Sequence, residues 1–305
     1  MNQNDLLEKL KDIAGESQVM VDEPMSNHTT FRIGGTADYF VMPSSVEELQ
    51  AIIYLLKKSD IEYYIIGNGS NLLVGDKGFR GVIIQLSDTF DGMEYVDDVT
   101  VKVMSGMKLS RLGKKLADNG LAGFEFATGI PGTIGGAVRM NAGAYGGEIK
   151  DIIISADVLD KDGNIITLDK DALELGYRTS CIMKNGYIVL SATFKLEKGS
   201  TDEIKDNIKE LSVKRRTKQP LEYPSAGSTF KRPEGYFAAK LIEDAGLKGM
   251  SVGGAQVSEK HAGFVINKGN ATASDVCQLT DNIKKEVKSR FGVELELEVI
   301  KLGEF

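Results

Sequence analysis

Residues 128–147 read Thr128-Gly129-Ile130-Pro131-Gly132-Thr133-Ile134-Gly135-Gly136-Ala137-Val138-Arg139-Met140-Asn141-Ala142-Gly143-Ala144-Tyr145-Gly146-Gly147, and seven of the nineteen residues from 129 to 147 are glycine. A linker of that composition would be flexible and polar. Here Ile130, Ile134, Val138 and Met140 are interleaved, so the segment is expected to be packed, with its backbone brought close to a ligand. It lacks the lysine and following serine or threonine of a triphosphate-binding loop, which disfavours nucleotide hydrolysis.

Upstream, Gly67-Asn68-Gly69-Ser70-Asn71 follows the apolar run Tyr63 to Ile66. Glycines there let successive backbone amides turn toward one point, an anion nest suited to a pyrophosphate. The segment is not the usual dinucleotide fingerprint, because Leu72 stands where the third glycine should and the residues that follow read as strand. On this segment alone an ordinary tight turn is an equal reading.

The elements around these loops alternate. A leading helix spans Asp5 to Ala14, and a strand near Ala37 to Met42 precedes a helix that starts at Ser44 or Ser45 with glutamates three residues on, as in a capping box. Strands follow at Gly81 to Leu86 and Val99 to Met104, then a helix over Leu109 to Asn119 capped by Gly120. Beyond the long glycine-rich stretch come strands at Ile152 to Leu159, with a turn at Asp162-Gly163, and at Tyr187 to Leu196. The remainder reads as helix (Thr201 to Arg215, ending in a basic run at 214–218), helix (Gly235 to Ala245), strand (Ala262 to Asn267), helix (Ala273 to Arg290) and strand (Val293 to Ile300). Lys198-Gly199-Ser200 is the linker candidate, which divides the chain into a leader at 1–30, a domain at 31–199 and a smaller α+β domain at 200–305.

With 305 residues, 42% apolar and 27% charged, the chain has the composition of an ordinary globular protein. A net charge of −7 argues against a nucleic-acid binder, whose affinity comes from lysine and arginine neutralising phosphates. A small anion would need a local basic patch, and Lys214-Arg215-Arg216-Thr217-Lys218 supplies one. Met1 to Asp5 carries no basic start of a secretion signal, and no apolar run approaches the ~20 residues of a membrane span, so a cytoplasmic location is expected. Cys181 and Cys277 are far apart and lack zinc-ligand spacing; Cys277 falls on the apolar side of a helix, and the role of Cys181 stays open.

The motifs GNGSN, TGIPGTIGGAVRMNAGAYG, YRTS at Tyr177 to Ser180, AGSTF at Ala226 to Phe230 and LELEV at Leu295 to Val299 occur, in this order, as in the UDP-N-acetylenolpyruvoylglucosamine reductase (MurB) family, which the chain resembles over most of its length. The resemblance implies an α+β fold. An FAD-binding region of the vanillyl-alcohol oxidase-like type, in two α/β sub-domains, would precede a smaller C-terminal substrate domain. It further implies dissociable FAD held by Gly67, Asn68, Gly69, Ser70 and Asn71 and by Thr128, Gly129, Ile130, Pro131, Gly132, Thr133, Gly135, Gly136 and Ala137. NADPH is the implied reductant and UDP-N-acetylglucosamine enolpyruvate the implied substrate. Between Tyr187 and Lys214 there is too little chain for the extra loop with which one branch of the family closes its site, so the likeness is to the shorter branch.

Reduction of an enolpyruvyl ether needs hydride at the methylene carbon, stabilisation of the charge spreading onto the carboxylate, and a proton for the ether-bearing carbon. Arg178 is the guanidinium the likeness assigns to the carboxylate; by its residue type alone it reads as a surface arginine. Ser228 matches the proton donor, although Pro224 to Phe230 also reads as a turn with locally satisfied hydroxyls. A serine is a poor acid unless nearby cations such as Lys231 stabilise what it leaves behind. Glu298 alternates with Glu294 and Glu296 on one face of a strand, and spacing alone leaves the three equivalent; the C-terminal motif singles out Glu298. Arg215 and Lys218 match positions that contact the diphosphate and uridine, while the basic run also reads as favourable charge at a helix C-terminus. Tyr177, Lys231 and His261 are further candidates for the substrate site, a packed histidine being an equal reading of His261. His28 reads as structural, and no metal is expected. Two other functions stay open on the residues: a different FAD oxidoreductase on the same scaffold, such as a sugar or hydroxyacid oxidase, and a silent nucleotide-sugar binder.

Overall fold

A computed structural model describes residues 3–305. The chain divides into two compact units, neither continuous in sequence: 1–20 with 39–68 and 82–214, and 21–38 with 69–81 and 215–305. The linear division at 30 and 199 therefore differs from the grouping in space. The helix Thr201–Lys218 begins directly after the expected linker and carries the division between the units at 214/215, and the segments 21–38 and 69–81 group with the C-terminal third.

In the first unit, residues of the strands Val19–Pro24, Thr36–Val41, Phe79–Gln85 and Tyr63–Ile66 form a sheet in that order. The last two are parallel, with Tyr63 opposite Val82 and Ile66 opposite Gln85. Helices Gln3–Ala14 and Val46–Lys58 cover it, burying Leu6 and Leu10 from one and Leu49, Ile52, Ile53 and Leu56 from the other. The second of these starts where its sequence dictates. Ser45 accepts from the Glu48 amide at 3.1 Å while the Glu48 carboxylate takes the Ser44 N–H at 2.7 Å, satisfying donors that a helix start leaves open.

The same unit contains an antiparallel sheet ordered Ile165–Asp169, Ile153–Leu159, Ile188–Lys195, Thr100–Met104, Met93–Tyr95. Leu109, Leu112 and Leu116 of the helix Leu109–Asp118, and Ile134, Ala137 and Val138 of the short helix Ile134–Arg139, pack in its core. A polar rung crosses this sheet: the Asp157 carboxylate accepts from Thr167 Oγ1 (2.6 Å) and Ser191 Oγ (2.9 Å) and pairs with Lys102 Nζ (2.8 Å). Partial burial pushes the Asp157 carboxyl up, and these three partners together more than reverse it, holding the group below the usual carboxylate range.

The second unit packs the helices Ala238–Asp244 and Ala273–Phe291 with a small sheet, Ser251–Val252, Ala255–Val257 and Val265–Asn267, around a core of Leu241, Ile242, Val276, Leu279, Ile283 and Val287. Leu72–Val74 pairs in parallel with Ile300–Leu302, so the chain terminus is stitched to the segment after the first glycine loop. Asp76 secures the long helix from outside, accepting from the amides of Ala273 (2.6 Å) and Ser274 (2.9 Å).

Four expectations are corrected here. The helix expected from Gly235 starts at Ala238, because Gly235 is left-handed (φ +74°) and Tyr236 N–H closes a turn onto Pro233 O. The strand expected from Ala262 starts at Val265, since Phe264 N–H turns back to His261 O at 3.0 Å. The helix expected to end at Arg215 continues to Lys218, which brings Arg215, Arg216 and Lys218 into its last turn, where positive charge suits the negative helix end. Residues 293–299 form no ladder. They are joined by one bridge, Leu297 to Phe230, and their backbone groups bond singly to coil: Glu298 N–H to Thr229 O (2.9 Å) and Glu296 O from Lys231 N–H (2.9 Å).

Candidate active site

In the first unit the parallel strand Tyr63–Ile66 delivers Gly67 to a cavity of about 380 Å³, lined also by Ser105, Thr133, Gly135, Gly136 and Arg139. The two glycine-rich loops meet at this wall. Asn68 Nδ2 donates to Pro131 O at 2.8 Å, and a Cβ on Gly67 would stand 2.2 Å from Thr133 Oγ1, so only glycine fits the approach. Most amides of the second loop are turned inward: Ile130 to Ala127 O, Ile134 to Met107 O, Gly135 to Ser105 O and Ala137 to Thr133 O. Gly136, in the first turn of its helix, makes no such bond among the described residues, and a Cβ there would meet nothing nearer than Thr133 Oγ1 at 4.0 Å. Ser105 is 1% exposed and its Oγ has no hydrogen-bond partner among the described residues, although it lines the cavity wall. An orphaned buried hydroxyl costs free energy unless something bonds it. Together with the open Gly136 face, it fits a polar cofactor resting on this wall.

Arg178 lies in the same unit, at the tip of a tight turn in which Gly176 and Thr179 exchange backbone bonds at 3.1 and 3.3 Å. Its φ is +54°, a conformation costly for a non-glycine residue, and its guanidinium lies 5.2 Å from the ring of the half-exposed Tyr177. The turn is anchored below by Ser180, fully buried, whose Oγ donates to Arg139 O at 2.6 Å. Cys181, next along, is packed in the core, and burial pushes its thiol up, with Glu174 adding to the effect; it is not an activated nucleophile. Cys277 packs at the edge of the core of the second unit.

In the second unit Ser228 is exposed between the left-handed Gly227 (φ +77°) and the buried Thr229. Thr229 fixes it. The Thr229 N–H donates to Gly263 O (2.8 Å), its Oγ1 accepts from Val265 N–H (2.9 Å) and its carbonyl accepts from Glu298 N–H (2.9 Å). Ser228 and Glu298 are thus brought together through one residue, and Asn71 Nδ2 adds a 3.0 Å bond to Glu298 O. The structure also separates the three glutamates that spacing leaves equivalent. Glu294 pairs with Lys288 and Glu296 with Lys231 (3.2 Å), both largely exposed, whereas Glu298 is half-buried. Lys231, the cation expected to assist Ser228, is therefore engaged by Glu296. Gly69, Ser70 and Asn71 belong to this unit, and a Cβ on Gly69 would lie 2.0 Å from His28 O. His28 Nε2 is 2.9 Å from Glu23 Oε1. His261 accepts from Gly263 N–H through Nδ1 (3.1 Å) and lies edge-on to Phe264. Burial lowers its pKa, which keeps the ring neutral. Arg215 and Lys218 sit in the last helical turn, Arg215 half-buried and Lys218 exposed.

Sequence reasoning missed Ser105, Thr229 and Asn141. A lone serine between a strand and a helix carries no local signal. Thr229 and Asn141 lie inside the quoted motifs but are recognisable as anchors only by their distant partners. Among the described residues no group of His, Cys, Asp and Glu could hold a metal ion, and no helix is long and apolar enough to cross a membrane.

The parallel strand feeding a glycine-lined cavity, against an antiparallel sheet, defines the class: an FAD-binding protein of α+β architecture. Residues 37–169 match the FAD binding domain family, and residues 219–302 match the UDP-N-acetylenolpyruvoylglucosamine reductase C-terminal domain. An alkyldihydroxyacetonephosphate synthase structure shares the fold over 65% of this chain and 41% of its own, at TM-score 0.50 and 19% identity. The chain is 54% identical over 304 residues to the UDP-N-acetylenolpyruvoylglucosamine reductase of Lachnoclostridium phytofermentans, covering 99% of this chain and 98% of that one. Against that of Clostridioides difficile it is 53% identical over 304 residues, covering all of both. The crystal structure of the Thermus caldophilus UDP-N-acetylenolpyruvylglucosamine reductase (MurB) superposes with a TM-score of 0.78 at 34% identity, over 93% of this chain and 98% of that one. The chain belongs to the UDP-N-acetylenolpyruvoylglucosamine reductase (MurB) family of FAD-containing oxidoreductases.

Proposed function

We propose that this chain reduces UDP-N-acetylglucosamine enolpyruvate to UDP-N-acetylmuramate in the cytoplasm, with NADPH as reductant, and that Ser228, Glu298 and Arg178 carry the chemistry. The observation that supports it best is the anchoring of Ser228: a solvent-facing hydroxyl whose neighbour is bonded on three sides, one of them to Glu298. When bound, FAD supplies the hydride that reaches the enolpyruvyl methylene carbon. Ser105 Oγ, the Gly136 N–H and the Gly67 backbone would hold that cofactor along the cavity wall, with Asn68 tying the two glycine-rich loops together through Pro131 O.

The chain's own groups do the rest. Arg178 binds the substrate carboxylate, whose charge grows as the enol forms. Ser228 Oγ gives its proton to the ether-bearing carbon, and Glu298 assists by stabilising the enol and moving the proton that restores Ser228. Lys231, whose exposed ammonium also pairs with Glu296, is a further contact for the substrate near Ser228. Arg215 and Lys218 meet the diphosphate and uridine, with Tyr177 and His261 as further substrate contacts; a neutral His261 donates through Nε2, since Nδ1 accepts from Gly263.

Two outcomes follow from the geometry. Gly136→Ala should raise the melting temperature of the flavin-free protein slightly, because alanine favours a helix over glycine by about 1 kcal/mol. It should weaken FAD binding, because the added methyl enters the cavity; thermal scans and flavin titration read the two effects separately. Glu298→Gln should slow product formation strongly, while Glu294→Gln and Glu296→Gln stay near wild type; equal effects from all three would remove Glu298 from the mechanism.

The deciding experiment is anaerobic visible absorbance of the holoenzyme. NADPH should bleach the flavin band, and UDP-N-acetylglucosamine enolpyruvate should restore it. A band that bleaches with NADPH but ignores the sugar would leave the scaffold right and the substrate wrong. A protein that takes up no flavin would favour a silent binder.

A further inference from the structure

We propose that Asn141 is a positioning residue for Arg178, coupling the end of the flavin-loop helix to the turn that presents the guanidinium; this rests on the role given to Arg178 above. The helix Ile134–Arg139 stops at Asn141 in a Schellman arrangement: Ala142 N–H bonds Ala137 O (2.8 Å) and Asn141 N–H bonds Val138 O (3.1 Å). The stop needs a left-handed residue, and Asn141 has φ +44°. Glycine usually fills that place and asparagine sometimes does, and unlike glycine it brings a side chain that can bond its surroundings.

That side chain is 1% exposed and fully used. Nδ2 donates to Gly176 O (3.1 Å) and to Glu148 Oε2 (2.9 Å), and Oδ1 accepts from Lys150 N–H (2.9 Å). Gly176 is the first residue of the Arg178 turn. Ser180, the residue just past that turn, bonds Arg139 O in the last turn of the same helix, so both sides of the turn hang from one helix end. Glu148 is a second tie: it is paired with Lys150 (2.7 Å), and its carboxylate is held low chiefly by that lysine, with Asn141 and the charge of Arg178 contributing. Arg178 keeps its strained φ of +54° only if its surroundings over-determine it. Removing the Asn141 amide leaves the Gly176 carbonyl held only by the Thr179 N–H within the turn itself and lets the turn shift, moving the guanidinium with it.

The test uses Asn141→Gly, which preserves the left-handed helix stop while deleting all three side-chain bonds, and Asn141→Asp, which keeps the shape but cannot donate to Gly176 O at neutral pH. In both holoenzymes flavin content and bleaching by NADPH should match wild type. Restoration of the band by UDP-N-acetylglucosamine enolpyruvate should slow about tenfold to a hundredfold, the effect of an ångström-scale misplacement. Acid pH should partly rescue the aspartate variant, as its protonated carboxyl regains a donor. In an Arg178→Ala background the same substitutions should add nothing. The proposal is overturned by equal slowing of both half-reactions, by effects that multiply with Arg178→Ala, or by both Asn141 variants failing to fold while Arg178→Ala folds, which would make Asn141 purely architectural. If Arg178→Ala alone changes nothing, the failure lies in the role given to Arg178 and not in the coupling.

Discussion

Ser228→Ala is expected to leave bleaching of the flavin by NADPH nearly unchanged and to slow its restoration by the enolpyruvyl sugar by about 10²- to 10⁴-fold, the usual contribution of a positioned general acid. The substitution removes one oxygen from an exposed position, while the hydrogen bonds that hold the segment belong to Thr229. Flavin content and melting temperature should therefore hold. Stopped-flow absorbance of the two half-reactions separates the effects. A comparable loss in both, or none in the second, would take the proton away from Ser228.

Arg178→Ala should cost about 10²- to 10³-fold in the second half-reaction, the range found when a donor aimed at developing negative charge is removed. Arg178→Lys should recover only part of this, because a point ammonium cannot reproduce the fork geometry of a guanidinium on a carboxylate. Either replacement still has to occupy the left-handed position at the turn tip, so the strain at φ +54° is unchanged and the comparison reads the side chain alone. Bleaching by NADPH at wild-type rates, with a substrate-dependent step that fails, is the expected pattern. A variant that loses FAD instead would mean that the turn supports the cofactor cavity and not the substrate.

The sequence carried a good deal of this. The helix start written in local chemistry, the Ser45–Glu48 box, coincides with the observed one, and Gly120 is left-handed just past the end of Leu109–Asp118 as expected of a stop. The strand Tyr63–Ile66 running into Gly67 was legible because its apolar run and the glycine after it are contiguous. Where the pattern misled, the partners were remote. Alternation at 293–299 correctly separates buried Leu295 and Val299 from exposed Glu294 and Glu296, yet alternation reports which face is buried, not whether a neighbouring strand exists to form a ladder. The amides of the second glycine-rich stretch showed the same limit: their number is visible in sequence, but most are spent on Ala127, Met107, Ser105 and Thr133 carbonyls.

By itself, then, the order of residues determined the class of fold, the two glycine-rich loops, the family and the short list of chemical groups, because each depends on spacing along the chain or on motifs read in order. Tertiary structure alone decided which of those groups is held and by what. It half-buried Glu298 while leaving Glu294 and Glu296 exposed, paired Lys231 with Glu296, placed on the cavity wall a Ser105 hydroxyl with no partner among the described residues and hung the Arg178 turn from Asn141. These are contacts between residues far apart in the chain or on separate elements, and a hydrogen bond is fixed by distance and direction in space, on which sequence separation places almost no constraint.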